Sequence, residues 1–371
     1  MKKRLFLLPF LFCSLQTMAQ SNEYNLIIGT YTNTGKSEGI YVYDFDTKTA
    51  AFRAKSITKN VTNPSYLTVS KDNAFVYAVS EDGANSSVNA FSFDPVKGSM
   101  EPLNSLSTKG ADPCFVIADE HNVLTANYSG GSISVFGRDS AGAVSGLKQI
   151  VQHSGSSIDK SRQGAPHVHQ VRFSPDKKYI ISNDLGTDKI YVYKYNPGEA
   201  SNVLVEHDSI AVKAGTGPRH ITFSKDGRFA YLLTEMGGMV NVYSYRDGKL
   251  SLLQESPIFG KDLKGENGAA DIHLTPDGKF LYTTNRANAN SITRFAVQSN
   301  GKLVKKSEIP TQGKGPRNFA IDPTGNYLLV AHQYTNDVVI FKINKESGVL
   351  TDTGKRIELG APVCLVFAPI K

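Results

Sequence analysis

Imidazole, carboxylate and guanidinium side chains recur at two places in a repeated pattern along this sequence. The first place holds Ser65, His169, Arg219, Ala270 and Arg317, and the second holds Glu81, Leu185, Glu235, Arg286 and Gln333. One residue before the second place stand Ser80, Asp184, Thr234, Asn285 and His332. In an irregular unit the matching pair is Asn127-Tyr128, and in another it is Thr30-Tyr31. His167, His220 and His273 fall close to the first place, so with His169 and His332 five of the eight histidines gather in one kind of location. Planar Arg forks bind carboxylate or phosphate and stabilise an oxyanion, and His or Glu can move a proton. Such a set suits an anionic small molecule with a carbonyl or ring ester. His169, Arg219, Glu235 and Arg286 are candidates for the chemistry. Tyr31, Glu81, Asn127, His167, Asp184, His220, His273, Asn285, Arg317, His332 and Gln333 are candidates for binding.

The element that must position these residues is legible from residue 217 to residue 235. Ile221/Phe223 and Phe229/Tyr231/Leu233 alternate with the period of two of half-buried strands, on either side of Asp226-Gly227. An Asp-Gly pair predicts a two-residue hairpin turn. The Pro-led start recurs at Pro64, Pro113, Pro166, Pro218, Ala270 (with Pro replaced), Pro316 and Pro362, at intervals of 46 to 53 residues. An aromatic-rich third strand and a fourth after a Gly turn follow each hairpin. Seven units of four antiparallel strands predict an all-β, seven-bladed β-propeller. Residues 25–56 supply three strands without a first, and residues 362–369 supply a first strand with nothing after it. The two termini are therefore expected to share one blade and close the ring. In a propeller the start of each first strand and the end of each second strand open at the same mouth, so the two sets of residues converge there.

Composition narrows the class further. Lys2-Lys3-Arg4, an apolar run from Leu5 to Leu15 and Thr17-Met18-Ala19 form a secretory signal pattern. The expected product is an exported, single-domain chain of residues 20–371, cleaved near Ala19. Removing the first nineteen residues takes three of the 41 basic residues and none of the 34 acidic ones, leaving a formal charge of +4. That charge is dispersed, so nucleic acid is not an expected partner. No later stretch is long and apolar enough for a membrane span. Cys114 and Cys364 remain, in predicted inner strands of non-adjacent blades, and are expected as buried free thiols. Absence of Trp argues against WD40 blades. No Gly-x-Ser-x-Gly elbow or Gly-x-Gly-x-x-Gly loop occurs. His167-x-His169 is a weak metal signal, and nearby Arg opposes a cation, so neither metal nor cofactor is expected.

Several motifs together resemble the seven-bladed lactonase family, which includes propeller-type 6-phosphogluconolactonases and carboxymuconate cyclases. They are Ile28-Gly29-Thr30-Tyr31-Thr32, Ser37-Glu38-Gly39-Ile40-Tyr41, Asn63-Pro64-Ser65-Tyr66-Leu67, Ala126-Asn127-Tyr128, Pro166-His167-Val168-His169-Gln170, Gly217-Pro218-Arg219-His220 and Gly315-Pro316-Arg317. The likeness spans about residues 25–370. It implies a metal-independent lactonase whose catalytic set matches His169, Arg219, Glu235 and Arg286. Position in the repeat alone does not separate these four from Arg317 or His332. The family's phosphorylated substrate arises in the cytosol, which an exported chain would not meet, so the implied substrate extends to other sugar lactones or cyclic acids. A muconate-type cycloisomerase and a non-catalytic propeller binding a ligand at the same mouth are the alternative readings.

Overall fold

A computed structural model describes residues 22–260 and 265–370. The expected signal segment, residues 1–19, lies outside the described residues. Seven four-stranded antiparallel sheets make up the ring. In the closing sheet the order is Pro362–Pro369, Glu23–Thr30, Gly39–Asp46 and Phe52–Lys59. Tyr24 pairs with Pro369 and Ile28 with Leu365, so the terminal strands zip one blade shut. Closure in this way completes the seventh blade and covers the edge that strand Glu23–Thr30 would otherwise present.

Hydrophobic alternation accounts for the packing between blades. Tyr231, Leu233, Val240 and Val242 of one sheet interleave with Ile272, Leu281 and Phe295 of the next. Each such side chain contributes roughly 1.5–3 kcal/mol on burial. Outermost strands such as Lys249–Pro257 bury only alternate or occasional residues. Glycine is required at the outer hairpins: a Cβ on Gly301 would come within 2.3 Å of the Phe229 ring of the neighbouring blade. Cys114 and Cys364 are free and buried.

The inner hairpin differs from the two-residue turn expected. Four residues, 225–228, lie between Ser224 and Phe229, whose N–H and C=O join at 2.9 Å. Only Gly227 takes positive φ there, at 71°. The wider turn is closed by Ser224, whose Oγ donates to Asp226 Oδ1 at 2.6 Å and accepts from Phe229 N at 3.0 Å. Ser70/Asp72, Ser174/Asp176 and Thr275/Asp277 repeat this bond. At 322–324 donor and acceptor exchange places, Thr324 donating to Asp322.

The inner strands carry a further shared irregularity. Pairing slips between Pro113 and Phe115, Val168 and Gln170, Pro218 and His220, Ala269 and Ile272, and Pro316 and Asn318. A bulge of this kind releases one residue from the ladder and re-aims its side chain. The released residues include Cys114, His169, Arg219, Ala270 and Arg317. Three of the expected strand starts move, the first from Pro64 to Leu67. The strand of the His-x-His motif begins at Val168 rather than Pro166, which leaves His167 in the loop, and the following Ala-led strand begins at Ala269 rather than Ala270.

Candidate active site

The bulges and the ends of the second strands meet in a cavity of about 230 Å³ lined by Tyr31, Glu81, Cys114, Tyr128, Arg162, His169, Arg219, Glu235, Arg286 and Arg317. A larger groove, about 400 Å³, lies by the turns at Asp226 and Asp277. Both of its carboxylates are already paired within their own turns, Asp226 with Arg228 and Asp277 with Lys279. Converging titratable groups that are not local turn pairs mark the smaller cavity as the site.

Glu235 is its centre. It follows strand Phe229–Thr234, and its backbone N–H donates to Gly217 O at 2.7 Å. Its Oε1 accepts from Arg162 at 2.7 Å, and its Oε2 accepts from Arg219 and lies 3.1 Å from Arg286 Nη2. Two of the three guanidiniums are fixed from behind by backbone carbonyls: Arg219 Nε donates to Ala270 O at 2.7 Å, and Arg286 Nε to Gly268 O at 2.9 Å. Both anchors lie at the start of strand Ala269–Leu274, so that blade holds the forks while its own short Ala270 side chain takes little of the cavity. Burial opposes the charge on Glu235, but Arg286, Arg219 and the bond from Arg162 outweigh it and hold the carboxyl well below its usual range.

His169 Nε2 lies 2.5 Å from Arg219 Nη1. Guanidinium has only donors, so Nε2 is the acceptor and the ring is neutral, with its proton on Nδ1. That nitrogen lies 3.7 Å from Cys114 Sγ. Burial, with Arg219 beside it, depresses the His169 pKa well below 6.5. Burial and Arg219 also draw Arg286 down to about 10. At neutral pH the site therefore holds four guanidiniums, two carboxylates and a neutral imidazole, a surplus of positive charge. It can stabilise an oxyanion and accept a proton beside it.

Beneath this layer sits a second polar network. Asp271 accepts from His220 Nδ1 at 2.8 Å, His273 Nε2 at 2.9 Å, Asn318 Nδ2 at 2.5 Å and Ile272 N at 3.0 Å. The His220 ring lies 5.3 Å from that of His169, edge to face. Burial lowers the His220 pKa from 6.5 to about 4 despite the bond to Asp271. An unfolded chain would thus take up this proton first as the pH falls. The stabilisation is complete above about pH 6.5 and is lost towards pH 4, by up to about 3 kcal/mol. His169 acts in the same direction. Urea midpoints measured across that range are expected to fall with pH, and to fall less in His220→Gln; a flat wild-type profile would contradict the neutral, buried assignment.

Of the residues singled out from the sequence, the structure brings His169, Arg219, Glu235, Arg286, Tyr31, Glu81 and Arg317 to the cavity. It places the others elsewhere. Asn127 bonds to Ser132 and Ser134, and Asp184 accepts from the N–H of His167, Gly186 and Thr187 and pairs with His153. Asn285 accepts from Gly268 N, and His332 lies 3.3 Å from Asp337. These four precede the cavity position by one residue, so the strand's period of two turns them away and into the loop between blades. His167 stacks on Tyr128 at 4.5 Å. His220 and His273 lie in the network below, and the half-buried Gln333 is not among the lining residues.

Tyr128, Cys114, Arg162 and Asp271 are not among the candidates that the sequence singles out. Tyr128 takes the Glu235 position in the irregular blade, in place of its neighbour Asn127. Arg162 comes from connector 153–167, the longest between blades and unmatched in the repeat; that departure was its only signal. Among the described residues no group of three His, Cys, Asp or Glu side chains converges as metal ligands.

A family model described as "Lactonase, 7-bladed beta-propeller" matches residues 25–367. A 6-phosphogluconolactonase of Formosa agariphila is 35% identical over 332 residues, covering 88% of this chain and 94% of its own length. A second, from Bacillus subtilis, is 34% identical over 345 residues, 92% of this chain and 97% of that protein. Among solved structures, the Pseudomonas aeruginosa periplasmic gluconolactonase superposes with a TM-score of 0.89 at 33% identity, covering 94% of this chain and 100% of that one.

Proposed function

The chain belongs to the seven-bladed β-propeller lactonase family, and from that premise we propose that it is an ester hydrolase that opens a sugar lactone to its hydroxy acid at the Glu235-centred site. The observation that carries this reading is the convergence of Arg219, Arg286 and Arg162 on one carboxylate beside a neutral imidazole. The lactone carbonyl takes the Nη donors of Arg219 and Arg286, which balance the charge that grows on its oxygen as water adds.

His169 is the group best suited to take the water's proton. Both oxygens of Glu235 are occupied by guanidiniums, whereas the Nε2 lone pair of His169 is released once Arg219 turns its fork to the substrate. The imidazolium formed lies 4.0 Å from Glu235, which stabilises it. The same proton then passes to the ring oxygen as the carbon–oxygen bond breaks, and the product leaves as a hydroxy acid. Export is part of the same proposal. It is supported by the basic-then-apolar amino-terminal pattern and by the periplasmic location of the Pseudomonas relative.

A pH-stat assay of the mature protein on plain and phosphorylated sugar lactones, with and without chelator, tests the reading. Acid release above the spontaneous rate, unchanged by chelator, is the expected result. Activity lost on chelation and restored by metal would contradict the metal-free mechanism.

A further inference from the structure

The cavity is electrostatically divided. On one side, His169, Arg219, Glu235 and Arg286 come from three consecutive blades, and the bonds described above commit their guanidiniums to Glu235. On the other side, Arg317, Tyr31 and Glu81 come from the next three. Here the guanidinium is not committed. Among the described residues Arg317 has no ion pair within 4.0 Å and donates no hydrogen bond; its guanidinium lies over the face of the Tyr31 ring, 5.4 Å from the centroid, and feels Glu81 only through the field. A cation–π contact holds the guanidinium in place without using any of its N–H donors.

The nearest candidate counter-ion has been diverted. Tyr31 donates its hydroxyl to Glu81 Oε2 at 2.8 Å, so the carboxylate is turned to the phenol rather than to Arg317. Burial holds that phenol well above its ordinary pKa, which keeps it a donor. The half-buried guanidinium of Arg317 thus keeps its N–H donors open to whatever enters the cavity. Its planar fork matches a phosphate or carboxylate.

We infer that Arg317 is a specificity-determining residue that receives an oxyanion substituent, a phosphate ester or a carboxylate, carried by the lactone away from its reacting carbonyl. This rests on the lactonase reading of the same cavity. The free oxygen of Glu81 beside it accepts from a sugar hydroxyl. The favoured substrate is therefore a charged lactone held at two points, its carbonyl on Arg219 and Arg286 and its anion on Arg317.

The test compares kcat/KM of the wild type, Arg317→Gln and Arg317→Lys on three lactones of similar size: 6-phosphogluconolactone, a carboxylate-bearing aldarolactone and uncharged gluconolactone. Wild type is expected to prefer a charged lactone. Arg317→Gln is expected to lose roughly 30- to 100-fold on that lactone, the scale of a charge-assisted bidentate contact, and far less on gluconolactone. Arg317→Lys should recover part of the loss, and melting curves of both variants confirm that they are folded. The two charged lactones separate phosphate from carboxylate as the preferred anion. Equal loss on all three, or no loss on any, overturns the inference while leaving the lactonase reading intact. A wild type that opens none of them overturns both.

Discussion

Arg219→Ala is expected to lower kcat for lactone opening by roughly 10²- to 10³-fold, the range for removing one preorganised oxyanion donor. This is the side chain through which the site is joined. Its Nη1 meets both Glu235 and His169, and its Nε is fixed on Ala270 O. The variant loses the donor and also the group that orients the imidazole. It should still fold, because Glu235 keeps Arg162 and Arg286 as partners. Arg219→Lys is expected to recover little, since a lysine cannot hold a backbone carbonyl and offer a fork to the cavity together. Steady-state kinetics with a melting curve check this. Near-normal kcat in a folded Arg219→Ala protein would remove Arg219 from the chemistry.

The second large effect separates two residues that share an oxygen-to-nitrogen distance of 4.0 Å. His169→Asn is expected to lower kcat by about 10²- to 10⁴-fold at neutral pH, as loss of a general base does. Glu235→Gln should cost less in kcat, about tenfold, and more in stability. It leaves three guanidiniums facing a neutral amide, and breaking a buried ion pair from one side typically costs several kcal/mol. A larger kcat loss in Glu235→Gln than in His169→Asn would make Glu235 the base. The pH profile gives the same answer independently. Burial and Arg219 already hold His169 neutral well below pH 6.5, so wild-type kcat/KM should show no break near 6.5 and should fall only at lower pH. A break near 6.5 would mean that the imidazole is neither buried nor pressed by Arg219 as described.

The blades were legible because each rests on local chemistry: alternating apolar residues, a polar turn and a glycine hairpin, repeated until ring closure was the only way to pair residues 25–31 with 362–369. The site was legible where the repeat itself delivers a side chain to the mouth. His169, Arg219 and Arg317 share the bulge, and Glu81, Glu235 and Arg286 share the position after the second strand. Register errors account for half of the candidates that miss the cavity. Asn127, Asp184, Asn285 and His332 stand one residue short of that position, and a strand turns successive side chains to opposite faces. His273 is also expected at the mouth, although it lies three residues beyond the bulge residue Ala270 and reaches Asp271 instead. Arg162 was illegible for a different reason. No repeat constrains connector 153–167, and only the folded path of that loop carries its guanidinium to Glu235.

The central claim is that the Glu235-centred mouth of the channel opens lactones. The most direct measurement is the initial rate of acid release from gluconolactone and 6-phosphogluconolactone, corrected for spontaneous opening, with wild type and the double variant His169→Asn/Arg219→Ala side by side. The account predicts a clear acceleration by wild type on at least one lactone and none by the folded double variant. Equal acceleration by both proteins, or none by wild type, would contradict it.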